Sequence, residues 1–269
     1  MMSNPHVLAS NRCASCPSRA YGPCKGASPE ALRSLASLST PCAVAPGATI
    51  IAQGETGQHI GVVRSGIVKM TNTTADGRHM VVGLIEDGRL IGNAFEQASR
   101  FAYESATDAQ VCLFPRQAFL SLARQCPDLS CSILETTQRQ AEEIQEWLTL
   151  FNCRTTLQRL AGYLFALTRR QLGDAPGREP IDLNIPIPRK DLAAYLGTTT
   201  ETLSRNMQQL SRKGILTVID GQTVTIISMA RLRSMAALIG EELQSLSHGH
   251  AAVAAGAIAG ETASPRHAA

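Results

Sequence analysis

"DLAAYLGTTTETLSR", Asp191–Arg205, is the stretch whose reading decides the fold. With its flanks, "IPRKDLAAYLGTTTETLSRNMQQLSRKGILTVIDGQTVTIIS", it reads as a helix, a tight turn at Gly197, a second helix and a two-stranded hairpin. Gly214 falls where a helix C-cap belongs. The second helix sorts by face. Leu203, Met207 and Leu210 recur at helical spacing and point inward, while Glu201, Ser204, Arg205, Gln208 and Arg212 share the opposite face. A helix of this size in a major groove presents its N-terminal residues to base edges. Arg205 can donate two hydrogen bonds to guanine. Glu201 can accept from the cytosine amino group, and Ser204 is small enough for close approach to a thymine methyl. Arg189, Lys190, Arg212 and Lys213 would grip phosphates, which position a protein without specifying a sequence. Each residue also has a plainer use. Glu201 complements the helix dipole and could complete a capping box with Thr198, and Arg205 could be a solvated charge. The helix–turn–helix–hairpin layout, more than any one side chain, points to DNA.

Upstream, residues 154–172 make another helix, followed by the loop "GDAPGREP". Before it, a long helix runs from about Pro127 to Phe151. Its Leu134, Thr137, Ala141, Ile144, Leu148 and Phe151 alternate at spacings of three and four, the pattern of a coiled-coil seam with charged flanks. A helix packed on its own domain is the alternative; the narrow seam favours a partner helix. Thr137 and Ala141 bury little, so the seam is marginal. From Ala43 to Phe114 the chain alternates short apolar strands with glycine turns: "ATIIAQG", "IGVVRSG", "IVKMT", "HMVVGLIEDG" and "AQVCLFP". Period-two strands with turn signals about every 8–12 residues argue an antiparallel barrel or roll, with "TADGRH" as a hairpin turn.

The resulting fold class is α+β. It comprises a cysteine-rich segment (1–29), an antiparallel β-roll (30–126), a long dimerisation helix (127–153), a winged helix-turn-helix (154–235) and a small-residue tail (247–269) expected to be disordered. The 269 residues suit two small domains, and 44% hydrophobic with 17% charged residues is a globular composition. No apolar run is long enough for a membrane span and no secretory leader is evident, so the cytoplasm is expected. The net charge of +3 says little. Residues 152–247 hold twelve Lys and Arg against eight Asp and Glu, a tilt compatible with nucleic acid. No nucleophile–base pair is evident, and no enzymatic activity is expected.

Eight cysteines in a reducing compartment point to metal or redox chemistry rather than a disulfide framework. Three fall in "CASCPSRAYGPC", Cys13–Cys24, where Pro17 and Pro23 limit helix formation between the thiols. Cys112 lies in the last strand, "QVCLFP". Four thiolates satisfy a cubane cluster, and two cysteines separated by two residues are a common bite. The same spacing permits a structural zinc site. Cys42, Cys126, Cys131 and Cys153 read as small buried hydrophobes, with Cys42 the first suspect as a substitute ligand.

A β-roll, a long helix and a C-terminal winged helix-turn-helix together resemble the CRP/FNR family of bacterial transcription regulators over roughly residues 30–235. Glu201, Ser204 and Arg205 stand in the E-x-x-S-R pattern of its FNR branch. There the pattern implies recognition of a TTGAT…ATCAA palindrome by a homodimer. The resemblance also implies that Cys13, Cys16, Cys24 and Cys112 bind a [4Fe–4S] cluster, which oxygen destroys or converts so that the dimer falls apart. The seven-residue gap between Cys16 and Cys24 resembles the FnrL and FnrN variants. A cyclic-nucleotide pocket is not expected. Gly92 is followed by Asn93, Ala94 and Phe95, and Phe101 stands where a phosphate-binding hydroxyl would be. His59 and His79 are the only histidines of the roll, which excludes a three-histidine metal enzyme. Surface loops such as "TADGRH" would touch RNA polymerase by analogy. The alternative is a regulator controlled by a small molecule in the roll, or one with a structural four-cysteine zinc site.

Overall fold

The computed structural model describes residues 13, 15–95, 98–151, 155–172 and 179–236. The tail at 247–269, Cys153 and most of the loop before residue 181 lie outside the described residues. The chain divides into two compact units, Met1–Gln145 with Ile185–Ser204, and Glu146–Asn184 with Arg205–Ala269.

In the first unit, a 3-10 turn at Pro17–Ala20 leads to helix α1, Pro29–Leu38. Ser28 caps α1 by accepting from the Ala31 N–H (3.2 Å), with Pro29 in the first turn. Eight strands follow: β1 Thr40–Val44, β2 Thr49–Ile51, β3 His59–Ser65, β4 Val68–Thr73, β5 His79–Ile85, β6 Leu90–Ile91, β7 Ala102–Ser105 and β8 Ala109–Pro115. They form two antiparallel four-stranded sheets, ordered β1-β8-β3-β6 and β2-β7-β4-β5. All five strands expected from the sequence are present. β1, β6 and β7 were not read from it, because each is too short or too polar to show a period; α1 was also missed, although its Ser28 cap and its Ala31, Leu32, Leu35 and Ala36 at helical spacing are a legible signal.

Alternation along the strands separates two cores. Ile51, Val63, Val68, Ile91, Tyr103 and Val111 form one. Ile60, Val62 and Phe114, on the other face of β3 and β8, pack with Leu32, Leu35, Phe119 and Leu129. Phe119 belongs to helix α2, Arg116–Gln125, and Leu129 to helix α3, Pro127–Phe151, which has the predicted bounds.

Helix α3 has two stripes. Leu129, Ser132 and Thr136 are buried, and Gln140 bonds the Leu90 backbone twice, accepting from its N–H (3.2 Å) and donating to its carbonyl (3.1 Å). One turn on, Glu143 pairs with the buried Arg89 guanidinium. The predicted seam lies elsewhere on the helix: Leu134, Ile144 and Leu148 are 68%, 45% and 56% exposed, and Thr137 and Ala141 are exposed with them. The side chain of Phe151 lies outside the described residues. The helix thus packs on its own unit along one stripe and leaves the predicted seam exposed on another.

Helix α4, Thr156–Leu172, lies in the second unit and buries Leu160, Leu164 and Leu167. Strand β9, Ile181–Asn184, precedes helix α5, Arg189–Tyr195, and helix α6, Thr200–Arg212. Strands β10, Leu216–Val218, and β11, Thr223–Ile226, follow, then helix α7, Met229–Ala236. The hairpin expected as two-stranded is the edge of a three-stranded sheet, β10-β11-β9. The four residues "IDLN" alternate buried and exposed but are too few to declare a strand in sequence. Lys69 on β4 is buried between its cross-strand partner Glu104 (3.4 Å) and Asp191 in the first turn of α5 (2.8 Å). Burial opposes the ammonium charge, but the two carboxylates outweigh it and raise its pKa.

Candidate functional site

The helix-turn-helix is built as its residues require. The turn after α5 holds Gly197 at φ 63°, and α6 ends with Gly214 at φ 64°. There the Ile215 N–H returns to the Leu210 carbonyl (3.1 Å), closing the helix end on a left-handed residue. Thr199 caps α6, accepting from the Thr202 N–H (3.2 Å). The cap is thus one residue later than the Thr198 considered from the sequence, and the Glu201 side chain accepts from the Thr200 hydroxyl (3.2 Å). Leu203, Met207 and Leu210 are fully buried. Glu201, Ser204, Arg205, Gln208, Arg212 and Lys213 are exposed, as is Lys190, and Arg189 is half-buried. Asn206, which the sequence left without a role, is buried and donates to the Thr156 hydroxyl (3.1 Å), fixing the rotation of α6 against α4. The result is a polar helix face presented to solvent by a rigid apolar back.

A second site gathers the N-terminal thiols. The 3-10 turn that begins after Cys16 lies on β3, and Cys112 on β8 is directly opposite Val62 of β3. Cys24 and Cys112 pack against the same apolar core. Cys24 is partly buried against that core, and its thiol is pushed up to about 12 by burial and then by the charges of Cys13, Cys16 and Cys112. Arg19 acts in the opposite sense. The four cysteines singled out in the sequence are therefore electrostatic neighbours. No group of three or more His, Cys, Asp or Glu among the described residues is drawn tightly enough to hold a single metal ion. Zinc would require its thiolates within about 4 Å of one another, given Zn–S bonds near 2.3 Å. A four-iron cluster takes one thiolate on each iron and accepts a wider spacing. The donor set fits the cluster: four mutually repelling thiolates need a cationic centre to lose their protons together.

Cys42 is paired with Val111, so it points to the sheet face opposite Cys112 and cannot join the set. Cys126 packs on the same core as Cys24 and Cys112, which makes it the better substitute.

The thiol segment touches the long helix directly. A Cβ on Gly26 would collide with the Ser132 hydroxyl and lie 3.0 Å from the Asp128 carbonyl, both on α3. Gly22 abuts Gly88, whose carbonyl would be 2.9 Å from a Gly22 Cβ. Gly88 immediately precedes Arg89 and Leu90, the partners of Glu143 and Gln140. None of these contacts has a sequence signal, since each joins residues far apart in the chain.

Residues 158–235 match the Crp-like helix-turn-helix domain, and residues 41–126 match the cyclic nucleotide-binding domain. The chain is 29% identical over 232 residues to the transcriptional activator protein FnrL of Cereibacter sphaeroides, spanning 85% of this chain and 92% of that one. It is 30% identical over 192 residues to the nitrogen fixation regulation protein FixK of Rhizobium meliloti, spanning 71% and 84%. The solved structure of FixK2 from Bradyrhizobium japonicum shares the fold, with a TM-score of 0.64 at 23% identity over 75% of this chain and 99% of that one.

Proposed function

Because the chain belongs to the CRP/FNR family of DNA-binding transcription regulators, which are not enzymes, we propose that it is an oxygen-responsive activator, dimeric and DNA-bound when a [4Fe–4S] cluster is held by Cys13, Cys16, Cys24 and Cys112. The observation that carries this reading is that Cys24 and Cys112 share one apolar core and Cys24 is electrostatically coupled to the other three thiols, on a segment that abuts α3 at Ser132. The bound cluster supplies an oxygen-labile iron–sulfur centre; everything downstream is work for the chain's own side chains. Gly26 seats the segment on α3, and the turn at Gly88–Leu90 links it to Gln140 and Glu143. Ordering this segment fixes the helix whose exposed seam meets the partner. Two copies then present two α6 faces to the half-sites of a TTGAT…ATCAA palindrome. Anaerobic purification is the test. A brown protein with sulfur-to-iron absorbance supports the reading, and a colourless protein without iron or sulfide overturns it.

The match to the cyclic nucleotide-binding domain favours a second reading, a small molecule held in the roll. Against it, Phe95 projects into solvent beside Gly92, and Phe101 packs on the roll core.

At the DNA face, Arg205→Ala is expected to cost about 1–3 kcal/mol at the specific site, the usual range for a bidentate base contact. Lys213→Ala should weaken all sequences alike and lower the salt slope by about one unit. Titrations on specific and scrambled duplexes at several salt concentrations separate the two. Equal losses on both duplexes for Arg205→Ala would remove it from the reading set.

A further inference from the structure

We propose that Arg64 is a positioning residue for the cluster: presented by a β-bulge beside Cys112, on the strand that carries the Cys16 turn, it neutralises that corner of the site while Ser18 holds the Cys16 sulfur. The inference rests on the four-cysteine reading above.

The bulge is explicit in the register. Val63 pairs with Val111 and Ser65 with Gln110, so Arg64 is the extra, unpaired residue of β3. Bulges re-aim a side chain, and they gather beside functional sites. Here the bulge adjoins β8 one residue from Cys112, on the strand against which the Pro17–Ala20 turn lies. Arg64 is electrostatically coupled to the thiols, to Cys16 first and then to Cys112 and Cys13. Ser18 adds an independent contact. It is buried, and its hydroxyl lies 3.1 Å from the Cys16 sulfur. As a thiolate, Cys16 would thus accept from the Ser18 O–H, with the Arg64 guanidinium as its cationic neighbour.

The chemistry follows. Four thiolates around a dicationic core leave the site anionic. A half-buried guanidinium offsets part of that charge, and donors to the sulfur withdraw electron density from it. Hydrogen bonds to cluster sulfurs are a main lever on reduction potential, and such outer-shell partners also hold the metal.

Arg64→Leu, Arg64→Lys and Ser18→Ala, purified anaerobically, test this. Iron and sulfide are counted, potentials are measured by mediated titration, and iron release to a chelator is followed. Arg64→Leu should have a more negative potential than the wild type and retain iron about 10–100-fold less well against the chelator. Arg64→Lys keeps the charge and a donor, and should restore part of both. A full iron complement with wild-type potential in Arg64→Leu would overturn the role of Arg64 and leave the cluster reading standing. A wild-type protein without iron and sulfide would overturn the cluster reading, and this role with it. If Arg64→Leu fails to fold, Arg64→Gln takes its place, and a full iron complement with wild-type potential in that variant overturns the role.

Discussion

Serine at Cys13, Cys16, Cys24 or Cys112 is expected to abolish cluster binding, while Cys126→Ser and Cys131→Ser retain it. Iron and sulfide content after anaerobic purification is the measurement. The expected loss is all-or-none because three thiolates leave one iron without a protein ligand, and a hydroxyl at neutral pH does not replace a thiolate. The contrast between Cys112 and Cys131 is the sharper half. Cys112 is directly opposite Val62 and faces the core that also receives Cys24, whereas Cys131 is exposed on α3. Full iron retention in Cys24→Ser would sink the assignment. Cys126 would then be the thiol to test next, because Cys42 faces the other core across the sheet.

What could be read from the sequence was what local chemistry encodes. Helix α6 declared itself because Leu203, Met207 and Leu210 bury one face and leave Glu201, Ser204 and Arg205 on the other. The bounds of α3 were legible because Pro127 opens it and its seam has a fixed period. The thiols were legible by spacing. The rest depends on register and approach, which no local pattern records. Arg64 in "IGVVRSG" looks like any strand arginine until β8 skips it. Gln140 and Glu143 look like solvated flanks until the Leu90 backbone and Arg89 meet them. Gly26 looks like a loop glycine until Ser132 occupies the space where its side chain would be. These are also the contacts through which the thiol segment reaches the helix, so the candidate thiol site was legible and its contact with α3 was not.

Ala141→Leu is expected to dimerise and bind DNA even after exposure to air. A switch that works by dimerisation needs a dimer poised so that a few kcal/mol decides it. The seam on α3 has that character. Leu134, Ile144 and Leu148 are exposed apolar anchors, but Ala141 supplies one methyl and Thr137 spends its hydroxyl on the Ile133 carbonyl (2.9 Å). Leucine at position 141 adds about three carbons on each side of a two-fold axis, at about 0.8 kcal/mol for each buried CH₂. That is about 5 kcal/mol per dimer, of which overpacking can return about 1–3 kcal/mol. The remainder corresponds to a gain on the order of 10- to 10³-fold in dimerisation. Glu135→Leu is the control. It is exposed on the same helix and gains comparable apolar surface, but it lies off the seam and should leave the air-exposed protein monomeric. Sedimentation of the two cluster-free variants distinguishes a specific seam from general stickiness. If both dimerise, the effect is only added hydrophobic surface. If Ala141→Leu stays monomeric with its helix content intact, the partner does not lie against this face of α3.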